Sequence, residues 1–515
     1  MSSVDTVRYT DNNIINSLLF SDKWASTGSS TNLTFSFPDG QNAYWGYNYG
    51  EADTAYGLTR GEQTQFEAAL SVWSDVANIN FREITESGSS VGDIRAAHTD
   101  IVTETQSAQA WAYYPWIGSY VNNAAHEASG DVWLDATDYS AEQGSYAFYV
   151  MVHELGHALG LSHPHDGDHT ISTKEDSQQY TVMSYNQSDS SIFGDGSPET
   201  PMLYDIAAIQ HLYGANTDFN DGDTTYTFDT DGEVKTVWDG GGYDTFDLSN
   251  QQGAVVVSLE EGGFSSVGNA DWGSHAIDNI AIAFDVDIEA AVGSNFDDTL
   301  IGGSGDNVLE GGLGNDNLNG GSGSDTVIIN DNYANASFSF SKFTSAVTVT
   351  SSDGVDSVDN VELIQFNDGL LDLSIVEDNA PMRLAGLDDV GRIVSLYQAA
   401  LNRTPDIGGM NYWVDAFTDG MEIESIAQNF VDSTEFTTYF AMDTNEAYLD
   451  TLYQNVLGRE GEESGFNWWL NALNEGESYN KVLMGFSDSI ENQVQVAPLI
   501  GLIQYEEPAD QWMFA

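Results

Sequence analysis

His153-Glu154-Leu155-Gly156-His157-Ala158-Leu159-Gly160-Leu161-Ser162-His163 sets three histidines in the pattern H-E-x-x-H-x-x-G-x-x-H. On a helix, His153 and His157 lie four residues apart and project from one face. A third ligand farther along the same helix would point away, so the backbone has to turn before His163. Gly160 permits the left-handed conformation that ends a helix, and Pro164 bars its continuation. Three neutral imidazoles that leave a fourth position open are the donor set of a catalytic zinc rather than a closed structural one. The candidate zinc ligands are therefore His153, His157 and His163. Glu154 is placed to reach water rather than the metal, and reads as a general base. The apolar lead-in Tyr146-Ala147-Phe148-Tyr149-Val150-Met151-Val152 makes the same helix part of a core.

The chain around this stretch has 515 residues, too many for one core, so about two to four domains are expected. Hydrophobic residues make up 41% and aromatics 12%, a globular composition, so its charge does not signal disorder. Against 13 Lys+Arg stand 81 Asp+Glu, for a formal charge of -68. Nucleic acid and anionic membrane surfaces are repelled by such a chain, and no apolar run is long enough to span a bilayer. Neither nucleic-acid binding nor membrane insertion is expected. The carboxylate excess needs cations, partly as screening salt on a soluble surface and partly as bound calcium. Cysteine is absent, which excludes disulfides and thiol catalysis. Ser2-Ser3-Val4-Asp5-Thr6 shows no basic-then-apolar Sec-type signal, a cytoplasmic indication that the calcium-binding pattern described below opposes.

Residues 1 to about 145 read as mixed α/β. Asn32 to Phe37 alternates as a strand and stops at Pro38. Thr59 is a candidate N-cap for a helix bearing Phe66, Ala69, Leu70 and Trp73 at helical spacing. Ile79 to Ile84, Asp93 to Ala96, and Gly130 to Asp135 read as further strands. The other histidines, His98, His126, His165, His169, His211 and His275, read as core or surface residues rather than ligands.

After the zinc helix comes Tyr180-Thr181-Val182-Met183-Ser184-Tyr185 and later Asp205-Ile206-Ala207-Ala208-Ile209-Gln210-His211-Leu212-Tyr213-Gly214. With His153 to Pro164, these residues resemble the serralysin branch of the metzincins, secreted bacterial zinc endopeptidases, over roughly residues 5 to 375. The resemblance implies an α/β metzincin catalytic domain that cleaves peptide bonds in protein or peptide substrates. It implies that Met183 packs beneath the zinc ligands, and that Tyr185 is a catalytic residue, a switchable fifth zinc ligand that stabilises the transition state. It also implies export by type I secretion machinery to the extracellular space. A monomer is expected.

From about residue 218 the chain turns rich in Gly, Asp and Asn. Gly302 to Glu310, Gly311 to Asn319 and Gly320 to Ile328 are consecutive nine-residue units, preceded by a degenerate copy from Gly293 to Ile301. The pattern G-G-x-G-x-D-x-U-x is that of a calcium-binding parallel β-roll. Its apolar eighth position is Leu300, Leu309, Leu318 and Val327, expected to fill a narrow core. Gly302, Gly303, Gly305, Gly311, Gly312, Gly314, Gly320, Gly321 and Gly323 allow tight turns with converging carbonyls, and Asp298, Asp316 and Asp325 supply charged oxygens to calcium. Asn307 stands where the pattern has Asp, so a weaker ion is expected there. Trp238 to Asp247 resembles a family segment that also binds calcium, and Asp353 to Gly369 resembles the closing strands of such a roll.

Beyond Pro381 the texture is helical and duplicated at an offset of 56 residues. Leu396 to Arg403 matches Leu452 to Arg459, Gly409 matches Gly465, Tyr412-Trp413 matches Trp468-Trp469, and Phe430 matches Phe486; Ser433 with Glu435 matches Ser489 with Glu491. The aromatics read as repeat core. The end, Asp510 to Ala515, pairs an acid with an apolar tail, as uncleaved type I export signals do in the family. The expected organisation is three domains: 1–217 catalytic, 218–378 calcium-binding β-roll, and 379–515 an all-α domain of two repeats. The competing reading is a calcium-dependent surface or binding protein with a vestigial zinc site.

Overall fold

The computed structural model describes residues 2–514 apart from 27, 41–42, 47–49, 101–108, 120–123, 136–138, 141, 189–195, 231, 270–274, 341–345, 374–388, 404–408, 410–411, 414–415, 417–420, 441–443, 460, 490–491, 493–495, 497–502 and 507–510. The expected boundary at 379 falls outside these residues, as do Glu491, Asp510 and Ala515. The chain divides into two compact units, residues 1–323 with 338–359, and residues 324–337 with 360–515.

The first unit begins with a five-stranded sheet: β1 (Thr31–Ser36), β2 (Ile79–Glu83), β3 (Ile94–His98), β4 (Ala110–Ala112) and β5 (Asp131–Leu134), in the spatial order β2-β1-β3-β5-β4. Neighbouring strands run parallel except β4, which pairs antiparallel with β5 at the edge. β3 and β5 are buried along their whole length, as parallel strands covered on both faces are.

Helix α1 (Arg60–Val76) starts at Thr59, as its sequence predicts. Thr59 Oγ1 accepts the Glu62 N–H at 3.3 Å while Glu62 Oε2 accepts the Thr59 N–H at 2.7 Å, a reciprocal box that satisfies two otherwise orphaned donors. Phe66, Ala69, Leu70 and Trp73 form its buried stripe. Helix α2 (Tyr146–Leu159) carries the histidine pattern and is buried from Phe148 to its end. Ser145 caps its start, and Gly160 closes it at φ +105°, a left-handed value that a side chain would strain. The Trp73 indole donates to the Val152 carbonyl at 3.1 Å and ties α1 to α2. Helix α3 (Leu203–Tyr213) follows.

Beyond α3 the unit is built from three-residue strands. β6 (Thr225–Thr227), β7 (Thr245–Asp247), β9 (Ala290–Val292) and β11 (Val308–Glu310) pair in parallel in that order. β8 (Val256–Ser258), β10 (Thr299–Ile301), β12 (Asn317–Asn319) and β14 (Val355–Asp359) form a second parallel series. Consecutive nine-residue units therefore alternate between two series, and partners such as Leu300 and Leu318 are in register 18 residues apart. Leu300, Leu309, Leu318 and Val327 are all fully buried, as the eighth-position rule requires.

In the second unit, β13 (Thr326–Ile328) pairs in parallel with β15 (Leu363–Phe366), which returns antiparallel as β16 (Gly369–Asp372). The rest is mainly helical: α4 (Asp389–Leu401), α5 (Ile423–Asp432), α6 (Thr434–Tyr439), α7 (Asn445–Leu457), α8 (Glu463–Asn474) and α9 (Tyr479–Ser487). Tyr397 meets Phe430 edge-on at 4.8 Å, and Tyr453 meets Phe486 edge-on at 5.0 Å. Trp413 and Trp469 lie against those same phenylalanines, while Tyr412 and Trp468 face solvent. Among the described residues, no helix is long and apolar enough to cross a membrane.

Removing the α1 cap by Thr59→Ala is expected to cost about 1 kcal/mol. The urea midpoint of the metal-loaded protein reads it; an unchanged midpoint would show that the box contributes nothing.

Candidate metal centre

Helix α2 presents His153 and His157 from one face, and the turn after Gly160 brings His163 back to them. The ring centroids are 4.8 Å apart for His153 and His157, 5.5 Å for His153 and His163, and 4.5 Å for His157 and His163. Each Nδ1 faces an oxygen. His153 Nδ1 lies 2.7 Å from the Val182 carbonyl, His157 Nδ1 2.8 Å from the Leu161 carbonyl, and His163 Nδ1 2.8 Å from Asp166 Oδ2. These acceptors place the proton on Nδ1 and leave each Nε2 with a bare lone pair.

The Nε2 atoms of His157 and His163 are 3.0 Å apart. Two lone pairs at that distance repel each other, and no hydrogen bond relieves them; a shared cation does. Burial holds His153 down at about 4 and His157 and His163 below the usual histidine value, so all three are neutral, as ligands must be.

Glu154 is buried beside them, and its Oε2 has no hydrogen-bond partner. Burial pushes its carboxyl up to about 8, against the Ala112 backbone hydrogen bond from edge strand β4. A dication at the histidines acts in the opposite direction, favouring the carboxylate. An orphaned carboxylate oxygen next to three converging lone pairs fits a metal carrying water.

Met183 is fully buried beneath α2 with its sulfur against Gly156, where a Cβ would lie 2.5 Å from Sδ. Gly156 is thus fixed by packing. Tyr185 stands at the open side, exposed, its ring 4.4 Å from that of His163 and 5.7 Å from that of His153. Burial, then Glu154 and Asp166, raises its hydroxyl pKa, so the phenol keeps its proton. His165 stacks on His163 at 5.4 Å and pairs with Asp176 at 3.3 Å, on the rim rather than in the triad. His98 is buried against Glu62 at 3.0 Å, a core histidine.

Two residues have roles here that their sequence positions alone do not reveal. Asp166 fixes the His163 ring, and its only signal is an acid three residues past the last histidine. Asp205 is fully buried and accepts from Thr181 Oγ1 at 2.5 Å, Val182 N at 2.6 Å and Met202 N at 2.9 Å. It fastens the Met183 turn to the start of α3, the third helical position where an acidic residue is favoured.

In the strand repeats, Asp298, Asn307, Asp316 and Asp325 are buried in the turns. Gly302 and Gly311 lie against the side chains of Asn307 and Asp316 of their own turns, and Gly303 against the Leu259 carbonyl. Gly312, Gly314, Gly321 and Gly323 have positive φ and face carbonyls of the preceding turn, including that of Gly305; the Gly320 carbonyl faces Gly302. Asp316 Oδ2 and Asp244 Oδ2 are buried without a partner, as suits carboxylates built around a hard cation.

The model of the Matrixin family matches residues 49–193, which include all three histidines, and that of the RTX calcium-binding nonapeptide repeat matches residues 292–327. A domain of unknown function, DUF4214, matches residues 385–440 and 427–496. The chain thus carries a matrixin zinc-peptidase domain and RTX calcium-binding repeats, and zinc and calcium are the metals of the two. More particularly, it is a homologue of serralysins over about half its length. It is 34% identical over 304 residues to Serralysin A of Dickeya chrysanthemi, covering 53% of this chain and 59% of that protein. It is 32% identical over 300 residues to Serralysin of Proteus mirabilis, covering 52% and 58%. With Metalloprotease AprA of Pseudomonas entomophila it shares 34% identity over 272 residues, 47% and 53% of the two chains. The chain spans less than two thirds of the length of the curated relatives it matches.

Asp166→Ala removes the His163 anchor and is expected to weaken zinc binding about 10- to 100-fold without unfolding the protein. Competition against a chromophoric chelator measures it; equal affinity would leave Asp166 no part in the site.

Proposed function

We propose that this chain is a secreted zinc endopeptidase that hydrolyses peptide bonds within proteins. The observation that carries the reading is the convergence of three neutral imidazoles, each with Nδ1 anchored, beside a buried carboxylate with one bare oxygen. His153, His157 and His163 would hold the zinc, with Tyr185 as a further, switchable ligand. Zinc bound there supplies a Lewis acid that polarises a carbonyl and acidifies water.

The protein's own residues do the rest. Glu154 takes the proton from the attacking water through its unpartnered oxygen, then gives it to the leaving nitrogen. Tyr185, kept protonated, donates a hydrogen bond to the substrate oxygen as it gains charge. Met183 and Asp205 hold the floor of the site. Strand β4, at the sheet edge and bonded through Ala112 to Glu154, offers an extended substrate segment a backbone to pair with.

The two parallel strand series support a calcium β-roll over 218–378, with Asp298, Asn307, Asp316, Asp325 and the turn glycines as its ion sites. The catalytic part would be 1–217. The paired Tyr–Phe contacts 56 residues apart support a duplicated helical domain over 379–515. Calcium, scarce inside cells and abundant outside, would let the roll fold after type I export, because ion-binding energy becomes folding energy.

Glu154→Gln is expected to keep zinc while losing about 10^2- to 10^4-fold in casein hydrolysis. Activity within a few-fold of wild type would remove Glu154 from the general-base role, and a wild-type chain that binds zinc yet cleaves no protein would leave the surface-protein reading standing. Chelating calcium is expected to reduce the β signal in circular dichroism; a constant spectrum counts against the roll.

A further inference from the structure

The nonapeptide match ends at residue 327, and the chain then leaves the repeat through some twenty residues. The structure nevertheless brings Ser351-Ser352-Asp353-Gly354-Val355-Asp356 back as the next turn beside Gly311–Asp316. Only the fourth-position glycine and the sixth-position aspartate of the pattern survive in it, which is why the sequence repeat is not legible there.

Four contacts of the regular turns recur at this junction. Strand β14 continues the parallel series of β12, with Leu318 opposite Val358 as Leu300 is opposite Leu318. Asp316 N–H donates to Asp356 Oδ1 at 3.0 Å, just as Asp298 N–H donates to Asp316 Oδ1 at 2.8 Å. Val355 N–H donates to Asn315 Oδ1 at 3.0 Å, just as Asn315 N–H donates to Asp297 Oδ1 at 2.8 Å. Gly354, at φ +155°, rests on the Gly314 carbonyl as Gly314, at φ +141°, rests on that of Phe296.

Asp316 and Asp356 are each 2% exposed. Asp316 Oδ1 is taken by Asp298, and its Oδ2 remains in the hollow of the turn with no partner. Asn307 shows the alternative: its Nδ2 donates to the Ile288 carbonyl at 3.1 Å and its Oδ1 accepts from Gly303 N–H at 2.7 Å, so both ends are satisfied by protein. An aspartate at the same place keeps a bare oxygen.

We propose that a divalent cation, calcium by its all-oxygen surroundings, seats between the Gly311–Asp316 turn and the Ser351–Asp356 turn, with the Asp316 and Asp356 carboxylates as its anionic ligands. The site joins segments separated by an insertion and adds a rung beyond the matched repeats. It rests on the calcium reading of the roll.

Calcium bound per chain, counted by equilibrium dialysis of the full-length protein, tests it. Asp356→Asn is expected to bind one ion fewer than wild type; the same count in both overturns the site and leaves the roll intact. A wild-type chain that binds no calcium overturns the roll itself. Asp356→Glu, which keeps the charge and moves the carboxylate out by one methylene, is the second variant should the first not fold. At least a tenfold loss of affinity for one ion supports the site, and affinities equal to wild type overturn it.

Discussion

Three Nδ1–H groups, each held by an oxygen, determine what the rest of this catalytic unit has to be. Once Val182, Leu161 and Asp166 take those protons, the three Nε2 lone pairs can only face one another. Neutral imidazoles in that arrangement repel, so the packing of α2, the Gly160 turn and the Met183 loop all work against a local electrostatic cost. A bound dication turns that cost into the site's affinity. The carbonyls matter as much as the histidines, because they choose the tautomer.

Two buried carboxylates show how environment assigns different tasks to one chemical group. Asp205 meets a hydroxyl and backbone N–H groups, and burial still pushes it to about 7. Those donors make it a clamp that joins the Met183 turn to α3, and through the Val182 peptide it reaches the oxygen that holds His153. Glu154 has one hydrogen-bonded side and one bare oxygen. The first is structural because it is satisfied, and the second is chemically available because it is not.

The strand repeats carry the same logic along a ladder. Asp298, Asp316 and Asp356 stack with their backbone N–H groups on their neighbours' carboxylates, and mutual repulsion adds to burial in raising Asp316 to about 6. In a chain with 81 acidic and 13 basic residues, few side-chain cations are at hand to neutralise such a row. Hard divalent ions are the natural counter-charge.

Sequence by itself determined everything set by short spacing. The i, i+4 histidines, the glycine that ends their helix, the Thr59 cap and the ninth-residue apolar register are local geometry, because a helix or a repeated turn maps position directly onto direction. What spacing cannot express was decided by the tertiary structure. The Val182 carbonyl that orients His153 lies 29 residues away, and a carbonyl has no side-chain identity to read. Gly156 looks like an ordinary small residue until the Met183 sulfur is beneath it. Asp356 lost its repeat signature across an insertion of arbitrary length, yet a sheet pairs strands by hydrogen bonds and side-chain fit, and those restored it to the ladder.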